Sequence, residues 1–167
     1  MEKNLTNEEA LKKMKSAVDS ISVCMMAAIG GDGASRPMHA ADCEEDGTIW
    51  FFTKDDTDAG QEAAARKKMA LHFSSPAKLN FLCVLGQSGL VHDKAKMEKL
   101  WHPMMKTWFP DGLETPGIAL IRVDPDTAHY WESSASRIEL LYSWAKAQIT
   151  GRPADGAEGR SGELEVG

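Results

Sequence analysis

The chain has no apolar run close to the roughly 20 residues that a membrane-spanning helix needs. Its first twenty residues carry too many charges for a secretory signal peptide. Basic residues are also in the minority, with 19 Lys and Arg against 25 Asp and Glu and a net charge of −6. A nucleic-acid partner requires a clustered basic face and is therefore not expected. These absences predict a cytoplasmic protein without a membrane or nucleic-acid partner.

Residues for metal, disulfide or nucleophilic chemistry are few and scattered. The cysteines Cys24, Cys43 and Cys83 are far apart and match neither a zinc spacing nor a CxxC pair. The five histidines form no HxH or HExxH pair, and no GxSxG or phosphate-loop motif is present. We expect reduced, packed thiols and no metal site, and we identify no catalytic acid, base or nucleophile.

Hydrophobic periodicity predicts an antiparallel protein with a few helices. A capping box at Thr6 and Glu9 opens an amphipathic helix that runs to Ile21. Further helices are predicted at Ala59–Lys67 and after Asp93, and a helix or strand-helix mixture at residues 138–149. The predicted strands are Ser22–Ile29, Ala34–Cys43, Thr48–Thr53, Met69–Ser74, Leu79–Leu85 with a continuation towards His92, Ile118–Val123 and Thr127–Trp131.

The turns between these strands define the fold class. Gly30–Gly33 and Glu44–Gly47 are tight turns, and Asp124–Asp126 suggests a hairpin between the last two strands. Strands and helices do not alternate regularly, which argues against a parallel sheet. The prediction is a mainly β (α+β) protein with an antiparallel β-barrel and peripheral helices. Residues 1–150 form the domain, and residues 151–167 are predicted to be a mobile tail because they contain few apolar groups.

One local constellation points to a ligand. Arg36 is held extended by Pro37, and an aromatic strand ending in Thr53 follows after one turn. An arginine beside an aromatic wall and a hydroxyl can hold a flat, anionic ligand. The alternative is an ordinary surface arginine next to a core strand.

Several motifs together resemble the bacterial general stress protein branch of the pyridoxamine-phosphate oxidase-like flavoproteins. They occur in the family's order along the chain: Arg36-Pro37-Met38, Trp50-Phe51-Phe52-Thr53, Glu98-Lys99-Leu100-Trp101, Trp108-Phe109-Pro110-Asp111-Gly112 and Tyr130-Trp131. The resemblance implies a split β-barrel, a homodimer, and FMN bound in a cleft at the dimer interface.

The resemblance also implies roles for individual residues. Arg36 would lie near the flavin phosphate, and the backbone of Arg36, Pro37 and Met38 along the edge of the isoalloxazine ring. The other implied cofactor-binding residues are Phe52, Thr53, Lys54, Thr57, Trp131 and Arg137.

The chain departs from the family pattern directly after Thr57. The family has a lysine where this chain has Ala59, and the acidic Asp58 stands beside it. Two like charges about 4 Å apart near a protein surface repel by roughly 4 kcal/mol before screening. The phosphate site is therefore atypical, although Lys54 offsets part of the negative charge.

Two classes of function follow. The first is an FMN-binding oxidoreductase of unknown substrate, with FAD as an alternative cofactor, related to stress responses. The second is a split-barrel dimer with little or no cofactor that acts as a non-enzymatic binding or stress-response module. The visible spectrum of the purified protein would separate the two.

Overall fold

An antiparallel sheet that closes on itself dominates the computed structural model, which describes residues 7–132 and 160–164. The strands of this part of the chain are β1 Val23–Ala28, β2 Ser35–Cys43, β3 Ile49–Lys54, β4 Lys68–Ser75, β5 Asn80–Val91, β6 Ile118–Glu132 and β7 Arg160–Leu164. They are ordered β3-β2-β1-β4-β5-β6-β7, and β3 also pairs with β6. The β3–β6 pairing closes six strands into a barrel, which confirms the predicted split barrel with peripheral helices.

Alternating side chains fill the barrel. Cys24, Met26 and Ala28 of β1 point inward, and Leu71 and Phe73 of β4 do the same. Such a period of two is the direct consequence of strand geometry, because successive side chains point to opposite faces. The main core therefore lies inside the closed sheet.

Strand β3 is buried on both faces. Its inner residues Ile49 and Phe51 join the barrel core, whereas Trp50 and Phe52 belong to a second cluster outside the barrel. This second cluster includes Phe109 and other side chains that follow β5 in the chain. The segment after β5 thus folds back over the outer face of β3.

The helices pack against the two clusters of buried side chains. They are α1 Asn7–Ile21, α2 Asp58–Ala64 and α3 Lys94–Leu100, and short 3-10 helices lie at Pro103–Thr107 and Gly112–Glu114. The helix predicted after Asp93 is confirmed, and Asp93 caps it by accepting a hydrogen bond from the Lys96 N–H at 3.0 Å. Thr6 and the segment 138–149 lie outside the described residues.

The predicted hairpin at Asp124–Asp126 is wrong, because β6 runs without a break through it. The partner strand shows why. Leu85 pairs with Thr127 and Gly86 with Pro125, which leaves Asp126 as an extra residue. A bulge tolerates a proline without an N–H, and Gly86 has no side chain to overlap the Asp124 carbonyl.

The predicted tail also differs from the structure. Arg160–Leu164 pair with β6 as strand β7, and Leu164 is only 1% exposed within the barrel core. For these five residues the expectation of a mobile tail is wrong, because one large apolar side chain docks on an available strand edge. The domain boundary at residue 150 stays a prediction.

The cysteines are packed thiols. All three are free, and Cys24 and Cys43 are buried. Burial raises the pKa of each of these two thiols to about 12, so neither is a thiolate at neutral pH. No helix in the described part of the chain is long and apolar enough to cross a membrane.

Candidate functional site

A cleft opens where two neighbouring strands of the barrel separate. Strand β2 pairs with β1 over Ser35–His39 but with β3 only from Ala40 onward. The opposite residues of β3, from Phe52 to Lys54, pair with β6 alone. The resulting cleft has a volume of about 500 Å³. It is lined by Val23, Arg36, Pro37, Met38, His39, Phe52, Thr53, Lys54, Thr57, Asp58, Ala59, Met105, Trp108 and Phe109.

The edge of β2 presents backbone polar groups to this cleft. The Ala40 N–H donates to the Ser22 carbonyl at 2.7 Å, which fixes the phase of the β1–β2 ladder. In an antiparallel ladder alternate residues direct their backbone groups away from the partner strand. The Pro37 carbonyl and the His39 N–H therefore point to the side where strand pairing is absent. This placement confirms that Pro37 occupies an edge position, where its missing N–H costs no ladder bond.

Aromatic side chains form the opposite wall. Phe52 makes an edge-to-face contact with Trp101 at 5.4 Å between ring centroids and lies 6.2 Å from Phe109. Trp108 is 57% exposed and lies 6.4 Å from the His39 ring. A rigid aromatic wall and an exposed indole suit a flat apolar ligand.

A pair of hydroxyl groups lies at the other end of the cleft. The Oγ1 atoms of Thr53 and Thr57 are 2.9 Å apart. Thr57 Oγ1 also donates to the Lys54 carbonyl at 2.8 Å and accepts from the Gly60 N–H at 3.1 Å. Thr57 thereby caps α2 and fixes the loop that connects this helix to β3.

The charged groups at this end are paired with one another. Arg36 donates to both carboxylate oxygens of Glu62, at 2.5 and 3.5 Å, and this hydrogen bonding raises the pKa of the guanidinium. Lys54 lies 3.3 Å from Asp56. Asp58 also lines the cleft and adds a further negative charge.

The structure brings together seven of the nine residues that the family resemblance implies. These are Arg36, Pro37, Met38, Phe52, Thr53, Lys54 and Thr57. Trp131 does not line the cleft of its own chain; it is 49% exposed on β6 and stacks on His129 at 6.3 Å. Arg137 lies outside the described residues.

The sequence analysis did not identify five residues of the cleft: Val23, His39, Met105, Trp108 and Phe109. Val23 of β1 is the pairing partner of His39 of β2. The register of these two strands would therefore have placed Val23 beside His39 in the cleft. Trp108 and Phe109 carried the resemblance as a motif. They line the cleft because the segment after β5 folds back over β3, and no local sequence pattern predicts that packing.

Comparison with known proteins matches these features to a family. The pattern of the family described as Pyridoxamine 5'-phosphate oxidase like covers residues 9–155. The general stress FMN/FAD binding protein of Xanthomonas citri is 33% identical, with a TM-score of 0.66 over 78% of this chain and 93% of that one. The General Stress Protein 26 of Bacillus anthracis str. Sterne has the same fold at 17% identity, with a TM-score of 0.63 over 72% of this chain and 92% of that one.

A curated relative also matches this chain. Protein bli-3 of Neurospora crassa is 28% identical over an alignment of 129 residues, and the match covers 72% of this chain. The matched region spans 62% of the length of that relative. The family match over most of the chain and the stress-protein relatives lead to one conclusion: the chain belongs to the pyridoxamine 5'-phosphate oxidase-like family, in its general stress protein branch.

Proposed function

We propose that the protein binds a flavin in the cleft between β2 and β3, with FMN as the cofactor that the family implies and FAD as the alternative, and that it is an oxidoreductase. The separated strands carry this proposal, because they place backbone donors and acceptors beside an aromatic wall. An isoalloxazine ring has apolar faces and a polar edge, and it requires that combination. The related protein of Xanthomonas citri, named an FMN/FAD binding protein, supports it. When bound, a flavin supplies hydride and electron transfer.

The residues present fit such a ring. The Pro37 carbonyl and the His39 N–H would bond its polar edge, and Phe52 and Met38 would contact its faces. Trp108, at the mouth of the cleft, would stack on the exposed part of the ring. At the other end, the Thr53 oxygen would accept a hydrogen bond from the ribityl chain.

Replacing Trp108 by Ala tests the placement of the ring. We expect about tenfold weaker flavin binding, because stacking of a heteroaromatic ring on an aromatic side chain contributes roughly 1–3 kcal/mol. Fluorescence titration with riboflavin measures the change. Met104→Ala is the matched control, since Met104 is 49% exposed on the 3-10 helix that directly precedes Trp108 but does not line the cleft. Equal affinities for both variants and the wild type would place the ring elsewhere.

We also propose that the protein is a homodimer, formed through the outer face of the sheet. Met25 of β1 pairs with His72 of β4, and the row continues across β5 to Cys83 and across β6 to His129. Met25, 41% exposed, and Trp131 make this face apolar. Val23 belongs to the same face and to the cleft, so a second copy seated here would also cover the mouth of the cleft.

Substituting Met25 by Glu is expected to give a monomer in sedimentation, because a carboxylate would be buried without a partner at the interface. Met104→Glu introduces the same charge at a similarly exposed methionine away from the sheet, and it should leave the dimer intact. Were Met25→Glu to sediment as a dimer, the outer face would not be the interface. A monomeric wild type would contradict the dimer itself.

A non-enzymatic module is the second candidate, and the acidic side chain of Asp58 in the cleft favours it. Asp58 and the ion-paired Arg36 give a flavin phosphate little attraction. Such a module would show no saturable flavin binding in the titration above.

The three unpaired cysteines fit a reducing compartment, so we place the protein in the cytoplasm under either function.

A further inference from the structure

The polar end of the cleft contains more acidic than basic groups. The basic side chains are Arg36 and Lys54, and the acidic ones are Asp58 in the cleft and the ion-pair partners Glu62 and Asp56. Among the residues that the structure describes, two positive and three negative charges give a local net charge of 2 − 3 = −1. A phosphomonoester carries about −1.5 to −2 at neutral pH. The field at this end therefore opposes a phosphate.

Arg36 is the basic group best placed for an anion, but it is already engaged. Glu62 accepts from both terminal nitrogens of its guanidinium, and both side chains are largely buried. Removing one partner from such a pair leaves an uncompensated charge, which is strongly unfavourable. A ligand phosphate would have to displace Glu62 and leave that carboxylate unpaired. Arg36 is thus largely neutralised before any ligand arrives.

Lys54 does not restore the balance. Its ammonium group is exposed and 3.3 Å from the exposed Asp56, and exposed pairs of this kind contribute little. Asp58 lies in the cleft itself, so its charge acts on a bound ligand at short range. Screening reduces this repulsion in salt, with a Debye length of about 8 Å at 0.15 M.

An uncharged polar group remains available at the same end. Thr57 Oγ1 is fully engaged by the Lys54 carbonyl, the Gly60 N–H and the Thr53 hydroxyl, but the Thr53 oxygen can still accept a hydrogen bond from a ribityl hydroxyl without any change in charge. We infer that the cleft recognises a flavin by its ring and ribityl chain and not by a terminal phosphate, so that riboflavin binds at least as tightly as FMN. This inference rests on the proposed flavin function and specifies its ligand class.

The wild-type protein is titrated with riboflavin and with FMN, and flavin fluorescence is followed. We expect riboflavin to bind with an affinity equal to or higher than that of FMN. Raising the salt from about 0.01 to about 1 M shortens the Debye length from about 30 to about 3 Å. This should strengthen FMN binding and leave riboflavin binding unchanged.

Asp58→Asn removes the one acidic group that lines the cleft within the described part of the chain, and it does not change side-chain size. We expect roughly tenfold tighter FMN binding, since juxtaposed like charges are costly, and no change for riboflavin. The control is Glu45→Gln, which removes one charge in the exposed turn at the far end of β3. It should change neither affinity. Ala59→Lys is a poorer test, because Ala59 is buried in the core cluster and a lysine there would disturb folding.

The possible outcomes distinguish a failure of this inference from a failure of the proposed flavin function. FMN binding that is ten or more times tighter than riboflavin binding would overturn the inference and leave the flavin function intact. Equal tightening of both flavins by Asp58→Asn would also overturn it, because the effect would not act on the phosphate. Absence of binding for both flavins would overturn the proposed function itself.

Discussion

Truncation after residue 151 is expected to lower the melting temperature by about 5–15 °C. The truncated chain loses β7, which pairs with five residues of β6, and it loses Leu164 from the core. Leu→Ala changes at buried sites cost about 2–5 kcal/mol. For a protein of this size 1 kcal/mol shifts the melting temperature by about 2–4 °C. Leu164→Ala alone should produce most of this loss, measured by thermal unfolding.

The neighbouring residue offers a control for this experiment. Glu163 lies on the same strand with its side chain exposed, so Glu163→Ala should change the stability by no more than about 0.5 kcal/mol. If both the truncation and Leu164→Ala left the melting temperature unchanged, Arg160–Leu164 would not dock on β6. The mobile tail that the composition of this segment predicts would then be correct.

Gly60→Ala is expected to destabilise the protein by about 1–3 kcal/mol and to weaken flavin binding. Glycine to alanine in a helix normally stabilises by up to about 1 kcal/mol. At this position a Cβ would overlap the Lys54 carbonyl oxygen and lie 3.1 Å from the Asp55 Cα. Overpacking against backbone costs about 1–3 kcal/mol, so it outweighs the gain in helix propensity. The loop must shift, and Lys54 and Thr57 line the cleft.

Gly89→Ala is the matched control, because a Cβ at Gly89 would have no heavy atom within 4 Å. It should leave both the melting temperature and the riboflavin affinity unchanged. Denaturant unfolding and fluorescence titration of the two variants measure both effects. A Gly60→Ala protein with wild-type stability and affinity would contradict the close packing of α2 on the loop after β3.

Local turn chemistry explains why most strands could be predicted. Turns that contain glycine, at Gly30–Gly33 and Glu44–Gly47, bound β2, and the strand predicted between them is confirmed. The same logic failed at Pro125, where proline between two aspartates resembles a turn. Its pairing partner Gly86 lies almost forty residues earlier in the chain. Only the register between these two strands shows that this segment forms a bulge and not a turn. Strand β7 was missed for a similar reason, since a five-residue segment with one large apolar group depends on a distant strand edge.

The residues of the candidate site also fall into two groups, those that a local motif indicates and those that depend on tertiary packing. Arg36, Pro37 and Met38 are consecutive, and Phe52, Thr53, Lys54 and Thr57 follow one turn later, so a local motif could indicate them together. The aromatic wall comes from the segment after β5, and its position depends on tertiary packing. Trp131 lies outside the cleft of its own chain, and under the proposed dimer its contribution would have to come from the second copy.

A crystal structure of the protein grown with riboflavin tests the central claim most directly. The account predicts the isoalloxazine ring in the cleft, with its polar edge on the Pro37 carbonyl and the His39 N–H and its ribityl chain towards Thr53 and Thr57. A flavin bound elsewhere on the chain, or an empty cleft at saturating riboflavin, would contradict it.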